Sequence, residues 1–161
     1  MTIDRTARSL LWGVAAGVVG TAVLNTVTYG DMLLRGRPAS TVPAKAAGIL
    51  ADRLGIDALR TENHGQGAEN RRSATGALLG YATGIGVGVG YAVVRSRISG
   101  TSTLRAGVLL GLAAMVAGDG PIVATGASDP TTWSAADWLA DLVPHLAYGL
   151  AAAATFEAGT G

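Results

Sequence analysis

The chain contains no cysteine. Disulfides, thiolate metal sites and a cysteine nucleophile are therefore excluded, and the redox compartment stays open. Aromatic residues are scarce, at 5% with a single Phe, so a core built on large rings is excluded too. Charged residues make up only 14%, against about 25% in an ordinary soluble domain. The formal net charge of +1, with no basic patch between aromatics, gives no case for nucleic acid. No Walker loop is present, and no Ser/His/Asp arrangement with a nucleophile elbow. The run "GIGVGVG" matches a dinucleotide-binding spacing only because glycines are many; it lies in an uncharged stretch and follows no strand. No catalytic residue, cofactor or metal site is predicted. Asp and His four apart can chelate, but one imidazole with scattered carboxylates is a weak set for zinc.

What the chain has instead is small apolar residues: 49% hydrophobic overall, with 24 glycines in 161 residues. That length allows one domain. Charge is clustered. Ser9 to Gly30 carries no ionisable side chain except Tyr29, and Ser73 to Val94 none beyond Tyr81 and Tyr91. Each stretch reaches the roughly 20 residues that cross a hydrocarbon core about 30 Å thick. Ala106 to about Ser128 and Trp138 to Phe156 are the two weaker candidates, the first containing Asp119 and the second Asp141. The pattern predicts an all-α membrane protein, a bundle of four transmembrane helices over about 9–30, 73–95, 104–126 and 135–157. A cleaved signal is not predicted, because the first apolar run exceeds a signal core and lacks a small-x-small end.

Every predicted span carries a stripe of small residues suited to close helix packing. Span one has Gly13, Gly17, Thr21 and Asn25; span two has Gly76, Gly80, Gly84 and Gly88. Span three has Gly107, Gly111, Ala114 and Gly118; span four has Ala140, Ala147, Ala151 and Ala154. Trp12 and Tyr91 are expected at one interface, and Tyr29, Trp133 and Trp138 at the other, the depth that amphipathic rings prefer. In the extramembrane segment 31–72, "TVPAKAAGILADRLG" opens with a Thr and a Pro suited to a helix start. Ala46, Ile49, Leu50 and Leu54 share one side, which fits a short amphipathic helix on the membrane surface or one packed over the bundle's end. His64 reads as a solvated loop residue.

The terminal face and the short second connection hold Arg5, Arg8, Arg95, Arg97 and Arg105 against Asp4 and Glu157. The opposite face holds seven Lys or Arg, but in the long first connection and beside five acids. Because short connections carry most weight, both termini are expected in the cytoplasm. The Ala/Gly/Arg-rich composition fits a bacterial cytoplasmic (inner) membrane.

"DWLADLVPHLAYG" (137–149) sets Asp137, Asp141, His145 and Tyr148 on one arc of the last span. Ser134 and Asp137 form a Ser-x-x-acid pattern resembling a capping box, which gives Asp137 an ordinary structural task. Asp141 and His145 lie deeper, where ionisable groups are costly and usually face a bundle interior or a wet cavity. With Asp119 of "GDGPIV" and Asn25, they make a candidate polar cluster of Asn25, Asp119, Asp141, His145 and Tyr148.

The stretches "GVAAGVVGTAVLN", "GVLLGLAAMVAGDGPIVATG" and "DLVPHLAYGLAAA", with a long connection after the first span, resemble the small bacterial inner-membrane proteins typified by YagU. The resemblance implies a four-helix integral membrane protein and supplies no reaction. Span three reads "AGDGP" where a histidine of that family would be sought, so no shared site is carried over there.

Two functions follow as expectations. The first is a non-enzymatic scaffold or subunit that packs against a second copy or a membrane-protein partner through glycine-rich helix faces, with the lipid bilayer as its surroundings. A glycine stripe facing outward would favour it. The alternative is a small proton- or cation-handling channel or transporter built on the Asp/His cluster, favoured by a wet cavity joining Asp119, Asp141 and His145.

Overall fold

The computed structural model describes residues 4–95, 97 and 100–161 of the chain. Among them there is no strand. Five helices follow one another: α1 (Arg5–Arg35), α2 (Val42–Leu54), α3 (Gln66–Arg95), α4 (Thr103–Thr125) and α5 (Ala135–Thr160), with short 3-10 turns at Asp57–Leu59 and Pro130–Thr132. All but α2 are long and apolar enough to cross a membrane. At 1.5 Å per residue the 31 residues of α1 extend about 46 Å, so it overruns the expected 9–30 at both ends. α3 likewise begins seven residues ahead of the expected Ser73, at Gln66.

Local chemistry sets the helix ends. α1 stops at Gly36, which takes the left-handed conformation (φ 64°) that glycine adopts without steric cost, with Pro38 just beyond. α2 ends at Gly55, where Ile56 N–H reaches back to Ala51 O at 2.9 Å. Ser102 caps α4 by accepting from Arg105 N–H. Ser134 and Asp137 form a full capping box on α5: Asp137 N–H donates to Ser134 Oγ at 3.2 Å, and Ser134 N–H donates to Asp137 Oδ2 at 2.9 Å.

The four long helices run up, down, up and down. α5 packs against both α1 and α4, and α1 also packs along α3, whereas α3 and α4 touch far less. The spatial order is therefore α4–α5–α1–α3. On the side away from the termini, α2 bridges the open edge by packing on α3 and touching α4, where Lys45 Nζ donates to Ala127 O at 3.0 Å.

Two backbone crossings bring the helices this close. Gly13 and Gly17 of α1 lie against Gly84 and Gly88 of α3; a Cβ on Gly17 would stand 2.6 Å from Ile85 Cα, and one on Gly88 would overlap Gly13 O and Gly17. Gly107 and Gly111 of α4 meet Gly149 and the His145 carbonyl of α5, where a Cβ on Gly111 would stand 2.6 Å from that oxygen. The obstacles are backbone atoms, so a side chain could fit only if a helix moved.

Not every stripe is used as expected. Gly76 abuts Pro43 of α2, but a Cβ added at Gly80 would meet no other part of the bundle within 4 Å. It falls between the contact with α2 and the contact with α1. On α5 the buried residues are Pro144, Tyr148, Gly149, Ala152, Ala153, Phe156 and Gly159 rather than the four alanines read from the sequence. α2 buries Ala47, Gly48 and Ala51 and leaves Leu50 and Leu54 exposed; its small side fits against the bundle, and its larger apolar residues face away. Tyr91, expected at an interface, turns inward, 8% exposed, with its ring edge-on to Phe156 at 5.2 Å.

Each end is tied by charge. On the terminal side Arg95 Nε meets Glu157 Oε1 at 2.5 Å, Tyr91 Oη donates to the same oxygen at 3.1 Å, and Arg8 donates to Gly159 O at 2.9 Å. On the other side Asp31 pairs with Arg35 and Arg37. Thr61 holds Asp52 by its hydroxyl (2.5 Å) and its amide (3.0 Å), which keeps that carboxyl below the usual carboxylate range.

Gly88→Ala should lower the thermal midpoint of the purified protein in detergent by an amount matching about 1–3 kcal/mol of overpacking. Gly90→Ala, two residues on and open to the outside, should leave it unchanged. Equal effects of the two would refute the crossing.

Candidate functional site

Asp119 comes from the last turns of α4, and Asp141 and His145 from the first half of α5. The α4/α5 crossing at Gly111 and the His145 carbonyl brings the two helices close enough for these side chains to meet. His145 Nδ1 lies 2.8 Å from Asp141 O. A carbonyl can only accept, so Nδ1 carries the proton in that contact. The same nitrogen lies 3.4 Å from Asp141 Oδ1, with the two side chains 15% and 24% exposed. The other ring nitrogen faces α4, where a Cβ on Gly118 would stand 3.8 Å from it. Asp119 faces Asp141, and the charges of Asp141 and His145 act on it. Asp141 Oδ2 is buried, and no N–H or hydroxyl donor reaches it.

The other two cluster candidates lie elsewhere. Tyr148 is 1% exposed and donates across the bundle to Gly84 O of α3 at 2.6 Å. Its ring lies against Gly20 of α1, where an added Cβ would be 2.7 Å from ring carbons. Tyr148 therefore joins three helices and does not serve the acidic pair. Asn25 donates to Tyr81 Oη at 3.2 Å on an exposed face of α1 and α3. The cluster thus divides into an Asp119–Asp141–His145 group and two separate interhelical hydrogen bonds.

Toward the termini from His145 the core is filled by Leu110, Ala152, Ala153 and Phe156, all buried. Toward the opposite end Asp119 forms part of the wall of an open cleft of about 290 Å³ between α4, the Pro130–Thr132 turn and the start of α5. Trp133 and Trp138 line it, their ring centroids 5.1 Å apart and their planes at 59°. The sequence placed both rings at the interface but did not reveal that they stand together beside Asp119. The nearest sequence signal is their common proximity to the Ser134 cap.

No group of three or more acidic or histidine side chains among the described residues is arranged to hold a metal ion. What the arrangement can do is bind and release protons in a poorly solvated place, since Asp119 and His145 face each other across Asp141.

Tyr148→Phe should cost about 0.6–1.7 kcal/mol, the range for interhelical hydrogen bonds in membranes, and Asn25→Ala less, because its bond is exposed. Chemical unfolding in mixed micelles measures both, and a larger loss at Asn25 would contradict this ranking. No protein-family model, curated protein or solved structure matches the chain.

Proposed function

We propose that the chain is a small multi-pass membrane protein that handles protons or small cations at Asp119, Asp141 and His145. The observation that carries this reading is the meeting of those three side chains from two helices, with one buried carboxylate oxygen of Asp141 left without a donor. By the helical rise, Asp141 lies about 9 Å and His145 about 15 Å inside the start of α5, within the apolar part of a spanning helix. Ionisable groups at that depth are costly to keep, and they mark ion or proton pathways more often than lipid-facing positions. Between His145 and the termini the bundle is packed, which favours a site opened to one side at a time over a standing pore.

The membrane is proposed to be the bacterial inner membrane, with both termini cytoplasmic, on the strength of the arginines at the terminal end. The layout shared with YagU-like proteins is a proposal of kinship and brings no reaction with it. No enzymatic activity is proposed.

A second reading has its own observation. A Cβ added at Gly86 or Gly90 of α3 would meet no other part of the bundle within 4 Å, and Ala82 in the same row is exposed. This Ala82–Gly86–Gly90 stripe suits a scaffold or subunit that packs against another membrane helix.

Thermal stability across pH 5 to 8 separates the two. A cluster kept for function is often held at a cost to stability. On the proton-handling reading, Asp141→Asn therefore melts at or above wild type at pH 8, because it removes the like charge facing Asp119, and wild type in liposomes carries a proton flux that the variant loses. On the scaffold reading, Asp141→Asn and His145→Ala both melt below wild type and neither protein carries flux.

A further inference from the structure

We propose that the cleft between the first turns of α2 and the C-terminal end of α4 binds the headgroup of an ethanolamine phospholipid, its phosphate at Lys45 and its primary ammonium at Asp129. The cleft is open, measures about 540 Å³ and has a mostly polar wall, a volume within the roughly 300–1,000 Å³ of small-ligand pockets. Its two charges come from different elements and do not pair. Among the described residues Lys45 makes no ion pair with Asp129 or with any other acid. A lone anion entering the cleft meets the carboxylate, and a lone cation meets the ammonium. A ligand that carries both charges satisfies both walls.

Each charge keeps unused bonding capacity. Lys45 Nζ has three N–H donors and gives one to Ala127 O at 3.0 Å; Ala127 lines the cleft, so the ammonium stands at its wall. Asp129 Oδ1 accepts from the Thr131 amide at 2.9 Å and from the Thr131 hydroxyl at 2.7 Å, while Oδ2 has no partner among the described residues. The Thr131 hydroxyl, and after it the amide, hold that carboxyl below the usual carboxylate range, so it is ionised at neutral pH. Ser128 Oγ accepts from Trp133 N–H at 3.0 Å and keeps its own proton for a phosphate oxygen. The carbonyls that end α4 add acceptors, and the negative end of its dipole, on the side of Asp129. Such acceptors select an ammonium that still carries N–H groups over a quaternary one.

The depth of the cleft favours a lipid over a soluble zwitterion. Pro43 rests on Gly76, just inside the charge-free stretch of α3 that starts at Ser73, so Lys45 stands at the edge of the apolar zone. Val123 lines the cleft and heads a stripe with Val116, Leu112 and Leu109, all exposed and all on one side of α4 by helical spacing. A headgroup between Lys45 and Asp129 therefore has an apolar track for its acyl chains directly below it. Basic pockets between spanning helices hold anionic lipid headgroups at the membrane surface. Here the carboxylate opposite the lysine turns an anion site into one for a zwitterion.

The test is native mass spectrometry of the full-length protein in a non-ionic detergent, titrated separately with dioleoyl phosphatidylethanolamine, phosphatidylcholine and phosphatidylglycerol. Wild type is expected to hold one phosphatidylethanolamine about tenfold more tightly than either other lipid, a difference of about 1.4 kcal/mol. Asp129→Asn keeps an oxygen for the Thr131 turn and removes the charge, so it should bring phosphatidylethanolamine down to the level of phosphatidylglycerol. Lys45→Gln should weaken both lipids, and Lys45→Arg, which restores the cation, should recover them. Equal binding of the three lipids by wild type, or unchanged preference in Asp129→Asn, overturns the proposal. Soluble glycerophosphoethanolamine should fail to displace the lipid. Displacement at comparable concentration overturns the lipid as occupant and assigns the cleft to a soluble zwitterion of the same chemistry.

Discussion

The whole arrangement depends on how closely two pairs of helices can approach. At Gly13, Gly17, Gly84 and Gly88, and again at Gly107, Gly111 and Gly149, backbone stands against backbone with no room for a Cβ. In a hydrocarbon surrounding, apolar side chains gain little by leaving lipid for one another, so attraction between helices comes from close van der Waals contact and from hydrogen bonds between them. A glycine crossing supplies the first and permits the second. Only because α1 and α3 are this close can the Tyr148 hydroxyl of α5 reach across to Gly84 O. Only because α4 and α5 are this close does Asp119 meet Asp141.

The polar side chains inside the bundle follow one rule with one exception. Thr21 gives its hydroxyl to Gly17 O at 2.8 Å, Thr155 does the same to Ala151 O, and Tyr148 uses the Gly84 carbonyl. Each donor finds a backbone acceptor, as a site without water demands. Glu157 is neutralised near the terminal end by Arg95 and accepts from the Tyr91 hydroxyl. The Asp119–Asp141 contact is the exception, two acceptors facing each other with an imidazole beside them. A framework that elsewhere satisfies its donors so consistently has no structural need for such a pair, and that contrast supports the functional proposal.

The two ends of the bundle differ accordingly. The terminal half is filled by alanine, leucine and phenylalanine and held at its end by Arg8, Arg95 and Glu157. The other half carries the acidic pair, the tryptophan corner and the loop helix α2. There Lys45 of α2 donates to Ala127 O in the loop just beyond α4, at the edge where α3 and α4 themselves scarcely meet. The asymmetry places any movement that exposes Asp119 or Asp141 in the half with the looser packing.

Much of this was legible in the chain. Long runs without charge determine the four helices, because a backbone in hydrocarbon has to satisfy its own hydrogen bonds, and the helix does so within one segment. The Ser134–Asp137 cap was readable for the same reason: its partners are three residues apart. The stripes Gly13–Gly17 and Gly107–Gly111 were readable as packing faces, since spacing by four sets a face. Tertiary structure alone decided which stripe meets a neighbour. α3 has glycines on several faces, and only the crossing angle and the position of α1 separate Gly88, enclosed, from Gly80, Gly86 and Gly90, open. It also decided that Asn25 and Tyr148 take partners on α3 and leave the acidic pair to itself, and that Trp133 and Trp138 form a corner beside Asp119. Contacts between residues far apart in the chain depend on helix order and depth, and neither periodicity nor composition encodes those distances.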